Sequence, residues 1–208
     1  MVLELHGSSL SVCTKRVAMV LNELNVPFKF FPVDLKNREQ KSSQHLEKQP
    51  FGKIPFIVDD GFVLYESRAI CRYIATKYAE QGPPLIPKDL QAWAKFEQAA
   101  SVELCNFDPY AVDIVVENYF MPLYGKETNT AVLKVAIEKL NASLEAYDRI
   151  LSKQKYLGGD EFTLADLFHI PISTLLPGAG FHTLQENPNV KRQAAFHDQR
   201  LNHTRAAD

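Results

Sequence analysis

Three cysteines in 208 residues, Cys13, Cys71 and Cys105, are too sparse for a disulfide framework or a four-ligand zinc centre. No apolar run approaches the roughly 20 residues of a membrane-spanning helix. Met1–Val2–Leu3–Glu4 lacks the charged and long apolar regions of a secretory leader. No basic run exceeds two residues and the formal net charge is −2, which disfavours a nucleic-acid partner. The carboxylates and histidines show no metal-ligand spacing, and Trp93 is the single tryptophan. What remains is 46% hydrophobic and 23% charged, ordinary for a globular chain able to bury a core. The length suits one large domain or two small ones, and a cytoplasmic location is expected.

The stretch from Gln49 to Arg72 organises the rest. Phe56–Ile57–Val58 and Phe62–Val63–Leu64–Tyr65 flank Asp59–Asp60–Gly61, which reads as a β-hairpin. Glu66 and Ser67 then open a helix with Ile70, Tyr73 and Ile74 at helical spacing, running to about Ala79. Ile54–Pro55 stands at the strand entry, where proline cannot join the ladder and a cis bond is expected. Ile54 would then be free to pair with a ligand, and Glu66–Ser67 would place a hydroxyl and free N–H groups at a helix start. Two such docking points a hairpin apart suggest a small peptide-like ligand along a sheet edge.

Upstream, Val2 to Leu5 reads as a strand, followed by a polar loop through Ser11. A helix carrying Val17, Val20, Leu21 and Leu24 on one face ends near Asn25 before Pro27. Phe28 to Val33 reads as a second strand, and Lys36 to Gln49 as a polar segment with a short helix around Ser43–Glu47. The order β-α-β, polar segment, β-β-α, with a proline before the third strand, is the thioredoxin arrangement. Gln81 to Pro87 is the only proline-dense stretch and is taken as a linker. No strand is expected beyond it. Leu90–Glu103 reads as helix with Trp93, Phe96 and Ala100 on one stripe, interrupted around Asn106–Pro109 and resuming over Ala111–Tyr119. A long helix spans about Asn129 to Ser152, with Val132, Val135, Ala136, Leu140, Leu144, Tyr147 and Leu151 buried. Thr163 and Asp166 form a capping box with Phe162 as staple, and the helix runs into Pro171. The expected domains are 1–80, a linker at 81–88, and an all-helical 89–208.

Together QPFGKIP, the hairpin and YESRAI resemble the glutathione-binding core of the glutathione transferases. GDEFTLAD resembles that family's capping box, and SVCTKRV and MPLYG resemble its serine-type phi-like class, nearest to fungal members. The resemblance covers roughly residues 1–192. It implies an α/β N-terminal thioredoxin-like domain plus an all-α C-terminal domain, assembled as a homodimer. The implied reaction adds the glutathione thiolate to hydrophobic electrophiles, with glutathione-dependent peroxidase activity beside it. Glutathione is a co-substrate and no cofactor or metal is implied. The alternative is a carrier that holds glutathione and apolar ligands with little turnover.

By the resemblance, Ser11 donates a hydrogen bond to the thiolate at the head of the first helix, and Arg16 reinforces the positive field. Ser8 and Ser9 are rivals on spacing. Glu66 and Ser67 hold the γ-glutamyl group, Lys41 the glycine carboxylate and Ile54 the cysteinyl backbone. Lys53 stands where glutamine is common, and Gln40 where histidine is frequent. Val12, Phe107, Tyr110, Tyr119, Phe120 and Met121 are expected around the hydrophobic substrate, in a pocket between the domains. Each, taken alone, reads equally as helical core. Phe51 resembles a dimer contact, and could also be core. Cys13 is expected to be a packed residue or an adventitious oxidation site, Cys71 and Cys105 to be core, and His169 to be structural. Residues 193–208 depart from the family, without its tryptophan-containing helix, as an altered reading frame or splice would produce; a frayed end is expected there.

Overall fold

A computed structural model of the chain describes residues 2–195. The first unit contains β1 (Leu3–Gly7), α1 (Val12–Glu23), β2 (Phe28–Pro32), a 3₁₀ turn (Glu39–Lys41), α2 (Ser43–Lys48), β3 (Phe56–Asp59), β4 (Phe62–Tyr65) and α3 (Ser67–Lys77). The sheet order is β2-β1-β3-β4. β1 runs parallel to β2 and antiparallel to β3, which pairs antiparallel with β4. This is the thioredoxin-like sheet expected from the element order.

Alternation along β1 explains its two faces. Leu3 and Leu5 are buried, as are Val17, Val20, Leu21 and Leu24 of α1 and Ile70 and Ile74 of α3. On the opposite face His6 stacks between Phe31 and Phe56, with ring centroids 4.6 and 4.4 Å away. The helix α1 stops because Asn25 turns left-handed (φ 52) and Val26 N–H returns to the Leu21 carbonyl at 2.8 Å. The hairpin closes on Asp60 and Gly61, both at positive φ (50 and 84), the conformation a two-residue hairpin turn requires. Asp59 stays in β3, buried, and accepts from the Tyr73 hydroxyl (2.8 Å) and Lys77 Nζ (2.5 Å).

The second compact unit begins at Pro87. Its described residues form α4 (Leu90–Asn106), α5 (Asp108–Val115), a π turn (Val116–Phe120), α6 (Met121–Leu123), α7 (Thr130–Leu151), α8 (Leu164–Ser173) and a 3₁₀ turn (Thr183–Gln185). Residues 188–195 are helical. Pro109 sits in the first turn of α5, so the interruption at Asn106–Pro109 is a helix restart. On α7, Ala136, Leu140, Leu144, Tyr147 and Leu151 are buried, but Val132 and Val135 are 36% and 54% exposed, against expectation. At 3.6 residues per turn Val135 falls roughly 140° from Leu140, and Val132 roughly 80°. The same geometry places Trp93 at the stripe's edge, 44% exposed, and Cys105 on the side of α4 opposite Phe96, exposed rather than core.

The capping box is complete. Asp166 Oδ2 accepts from Thr163 N–H (3.0 Å) and its hydroxyl (3.2 Å), while Oδ1 accepts from Leu157 N–H (3.0 Å) and Gln193 Nε2 (2.9 Å). Gln193, the first residue of the stretch expected to be irregular, is therefore buried and bonded. Residues 196–208, the remainder of that stretch, lie outside the described residues. The helix α8 continues beyond Pro171 to Ser173.

Candidate functional site

Ser11 caps α1 from an extended conformation (φ −79, ψ 125), and its Oγ accepts the Thr14 N–H at 3.3 Å. A serine oxygen occupied by an N–H leaves its own proton to be given elsewhere. The approach to the helix is tight. A Cβ on Gly7 would lie 2.5 Å from Thr14 Oγ1, so only glycine lets β1 pass the helix start. Ser8 is engaged in its own loop, its Oγ accepting from Leu10 N–H at 3.3 Å and its carbonyl from Ser11 N–H at 2.9 Å. Ser9 is exposed on that loop, and Val12 is half-buried in the first turn of α1. Of the three serines, Ser11 is the one set at the helix terminus, where the free N–H groups and dipole favour negative charge.

A second group forms where α3 begins. Glu66 has φ 70 and ψ 106, a conformation a non-glycine residue holds only under constraint, and its side chain is exposed. Ser67 is buried. Arg16, 1% exposed, donates from Nη1 to Ser67 Oγ at 3.0 Å and to Cys13 Sγ at 3.6 Å. The Cys71 thiol donates to the Arg16 carbonyl at 3.7 Å, and burial pushes that thiol up to about 12, which leaves it unreactive. Cys71 is core, as its helical position implied; Cys13 is half-buried.

The third group is the segment before β3. The Ile54–Pro55 bond is cis, and β3 begins only at Phe56, so Ile54 stands outside the ladder. Lys41 Nζ donates to the Phe51 carbonyl at 3.1 Å and packs on Gly52, whose φ of 59 and whose closeness to the Gln40 carbonyl (2.8 Å from a built Cβ) exclude a side chain. Two residues that sequence reasoning passed over hold this loop. Buried His45 donates from Nε2 to the Lys53 carbonyl at 2.7 Å, and buried Gln49 accepts the Lys53 N–H on Oε1 at 3.2 Å. Their one available signal was an i, i+4 polar pair, His45 on the short α2 and Gln49 at its C-cap. The Lys53 side chain is exposed. Phe51 is 63% exposed and meets Tyr65 edge-on, with centroids 6.1 Å apart.

In the helical unit, the candidates for the hydrophobic substrate separate. Phe107 is 2% exposed and packs against His169 and Tyr147 (centroids 4.6 and 6.0 Å), beside an apolar cavity of about 30 Å³ that Leu144, Leu151 and Val190 also line. Its ring serves the interior of that unit, because it closes α4 at the point where the chain turns into α5. Tyr110 is half-buried. Tyr119 and Phe120 lie in the π turn and Met121 just after it, and Tyr119 is 40% exposed. The turn is clamped: Glu117 accepts from the Thr128 hydroxyl (2.8 Å) and from Asn129 N–H (2.7 Å), and Asn118 Nδ2 donates to the Ala179 carbonyl (2.7 Å). Tyr124, not among the expected residues, is 67% exposed and stacks near-parallel to Phe120 at 6.3 Å. His169 is structural: Nδ1 donates to the Ala165 carbonyl (2.7 Å), so Nε2 accepts the Tyr147 hydroxyl (3.1 Å).

Among the described residues, no cluster of three or more His, Cys, Asp or Glu could hold a metal ion, and no helix is long and apolar enough to cross a membrane. A thioredoxin-like αβ unit with a cis-proline before its third strand, followed by a helical unit, defines the architecture of the glutathione transferases. Residues 5–83 match the glutathione S-transferase N-terminal domain family and residues 107–193 its C-terminal domain family. The chain is 45% identical over 192 residues to glutathione S-transferase PM239X14 of Arabidopsis thaliana, spanning 90% of this chain and 88% of that protein. It is 40% identical over 199 residues to glutathione S-transferase hmp2 of Hypomyces subiculosus, with 92% and 91% spanned. The crystal structure of glutathione transferase F7 from Populus trichocarpa superposes with a TM-score of 0.89 at 38% identity, covering 93% of this chain and 92% of that one. The chain belongs to the glutathione S-transferase family. It is a glutathione transferase, an enzyme that conjugates the glutathione thiolate to hydrophobic electrophiles.

Proposed function

We propose that the chain is a serine-type transferase in which Ser11 activates the thiol. Free glutathione has a thiol pKa near that of cysteine, about 8.5, so little is nucleophilic at neutral pH. The observation that carries the reading is the Ser11 cap. With the Thr14 N–H on its oxygen, the Ser11 hydroxyl has its proton available, at the positive end of α1. A proton donated to a thiolate stabilises the charged form and lowers its pKa.

The rest of the tripeptide follows the three groups. The buried Ser67 hydroxyl and the α3 N–H groups take the γ-glutamyl carboxylate, and the exposed Glu66 takes the ammonium. Ile54, outside the sheet ladder, pairs with the cysteinyl backbone. Lys41, whose ammonium has further donors beyond its bond to the Phe51 carbonyl, takes the glycine carboxylate, and Lys53 stands nearby in sequence as a second cation. Val12, Tyr110, Tyr119, Phe120 and Met121 serve the hydrophobic substrate, since aromatic and methionine side chains accommodate varied shapes. Glutathione enters as a co-substrate, and no resident cofactor is called for. Reduction of hydroperoxides by the same thiolate is the expected accompanying activity. The exposed Phe51, held by Lys41 and Tyr65, supports a homodimer contact, and the cytosol is the proposed location. The chain is placed in the phi-like group, with relatives that include the Arabidopsis protein at 45% identity and the Hypomyces protein at 40%.

Conjugation of a generic aryl halide by wild type and Ser11→Ala tests the reading. Loss of one oriented donor should lower kcat/KM by about a hundredfold and move the acid limb of the pH–rate profile toward 8.5. Unchanged turnover would remove Ser11 from the role. Tight glutathione binding with negligible conjugation and peroxidase rates in the wild type would favour a carrier.

A further inference from the structure

We infer that Arg16 is a positioning residue for the glutathione reaction: it fixes the Ser67 hydroxyl as a proton donor toward the γ-glutamyl carboxylate. The inference rests on the reading of Ser67 as that carboxylate's anchor. A guanidinium has five N–H donors and no acceptor, so the 3.0 Å contact between Arg16 Nη1 and Ser67 Oγ uses the serine oxygen as acceptor. The one proton of the hydroxyl must then point away from Arg16. Ser67 is 6% exposed and Arg16 1% exposed, so water does not compete freely for either group. A hydrogen bond from a cation also polarises the O–H it meets, which strengthens the donation on its far side.

Arg16 is itself held from three directions. Its Nη1 also reaches Cys13 Sγ, its carbonyl accepts the Cys71 thiol, and its backbone lies in α1 against α3. Ser11 opens the same helix five residues earlier. One rigid α1–α3 joint therefore carries both serines, and each is an acceptor toward an N–H of the fold: Ser11 toward Thr14 and Ser67 toward Arg16. Each oxygen takes an N–H of the fold on one lone pair, so each hydroxyl proton points elsewhere, one toward the thiolate and one toward the carboxylate. A neutral amide in place of the carboxylate would gain less from a donor backed by a buried cation, so Arg16 also sets a preference for charge at that end.

The test is a double-mutant cycle on the full-length enzyme, reading KM for glutathione and kcat separately. Hydrogen bonds to charged groups are worth about 1.5–3 kcal/mol, so Ser67→Ala should raise KM for glutathione by roughly tenfold or more with kcat nearly kept. Arg16→Gln should raise KM by a similar factor alone and add little in the Ser67→Ala background. Arg16→Lys, which keeps the charge and one donor, should recover part of the loss. Glutathione with its γ-glutamyl carboxylate converted to the amide should bind wild type more weakly than glutathione, and Arg16→Gln should narrow that gap. If Arg16→Gln does not fold, Ser67→Cys probes the same bond with Arg16 untouched, since sulfur accepts poorly; it should resemble Ser67→Ala. An unchanged KM in Ser67→Ala overturns the Ser67 anchor itself. A raised KM there, with the Arg16 effect fully additive, the amide gap unmoved, or Ser67→Cys behaving as wild type, overturns the positioning role alone.

Discussion

His45 Nε2 lies 2.7 Å from the carbonyl oxygen of Lys53, and because a carbonyl only accepts, the ring is the donor. This bond and the Gln49–Lys53 bond hold the residue that precedes Ile54 and its cis-proline. Replacing His45 by leucine should leave the carbonyl unsatisfied, cost about 1–3 kcal/mol of stability, and loosen the loop proposed to meet the cysteinyl unit. KM for glutathione should rise about fivefold while kcat at saturation holds. Steady-state kinetics with varied glutathione, beside a denaturant melt, checks both; a stability loss with no change in KM would confine His45 to the fold.

Asp166 gives the stability a pH dependence. Burial pushes its carboxyl up to about 6, against the Leu157 and Thr163 N–H donors that pull it down. A folded pKa above the unfolded one means that this group's contribution is full below about pH 4 and is lost as the pH rises through 6. Across pH 4.5 to 7 the loss is about 2 kcal/mol. Asp166→Asn cannot titrate, so the wild type's unfolding free energy relative to this variant should fall by that amount over the same range. Urea melts at several pH values measure it, and a flat difference would mean that the donors keep the carboxylate at its ordinary pKa.

Glu66 should show stability and binding moving in opposite directions. Its backbone, at φ 70 and ψ 106, stores about 1–3 kcal/mol that glycine would not. Glu66→Gly should therefore raise the melting temperature by a few degrees, after the unfolded-state entropy of glycine is subtracted. The same change removes the carboxylate proposed to pair with the glutathione ammonium, and KM for glutathione should rise about tenfold. A variant that binds glutathione normally would take Glu66 out of the anchor.

The Tyr147 hydroxyl donates to His169 Nε2 in the interior of the helical unit, and burial pushes it well above the usual tyrosine range. Tyr147→Phe leaves a buried ring nitrogen without its donor and should cost about 1–2 kcal/mol, a drop of roughly 2–8 °C in melting temperature at this size. Glutathione affinity should be unchanged, since neither residue belongs to the αβ unit. Calorimetry and glutathione titration together decide it.

Most elements were legible because their signals are local. Val17, Val20, Leu21 and Leu24 mark α1 by spacing, Asp60–Gly61 the hairpin by its dihedral demands, and Thr163 with Asp166 the start of α8 by reciprocal capping. Errors arose where a stripe was drawn too wide: Val135 and Cys105 face solvent because 100° per residue carries them off the buried side. Trp93 and Val132 drift to the edge for the same reason. Phe107 is buried against Tyr147 and His169, and an aromatic ring beside a helix break looks the same in sequence whether it lines a site or fills an interior.

Periodicity, turn chemistry and caps are written in neighbouring residues, so the order of elements, Ser11 at a helix start and Glu66–Ser67 at another follow from the chain's local composition. The partners of those residues do not. Arg16 reaches Ser67 across 51 positions, His45 reaches the Lys53 carbonyl rather than a side chain, and Gln193 joins a capping box 27 residues away. Packing α1 against α3 and the last described helix against α8 creates those bonds, and hydrogen bonding in a buried space accepts only the donors that packing brings within about 3 Å. Local spacing could place Ser67 at a helix start; the contact between helices is what brings the Arg16 guanidinium onto its oxygen.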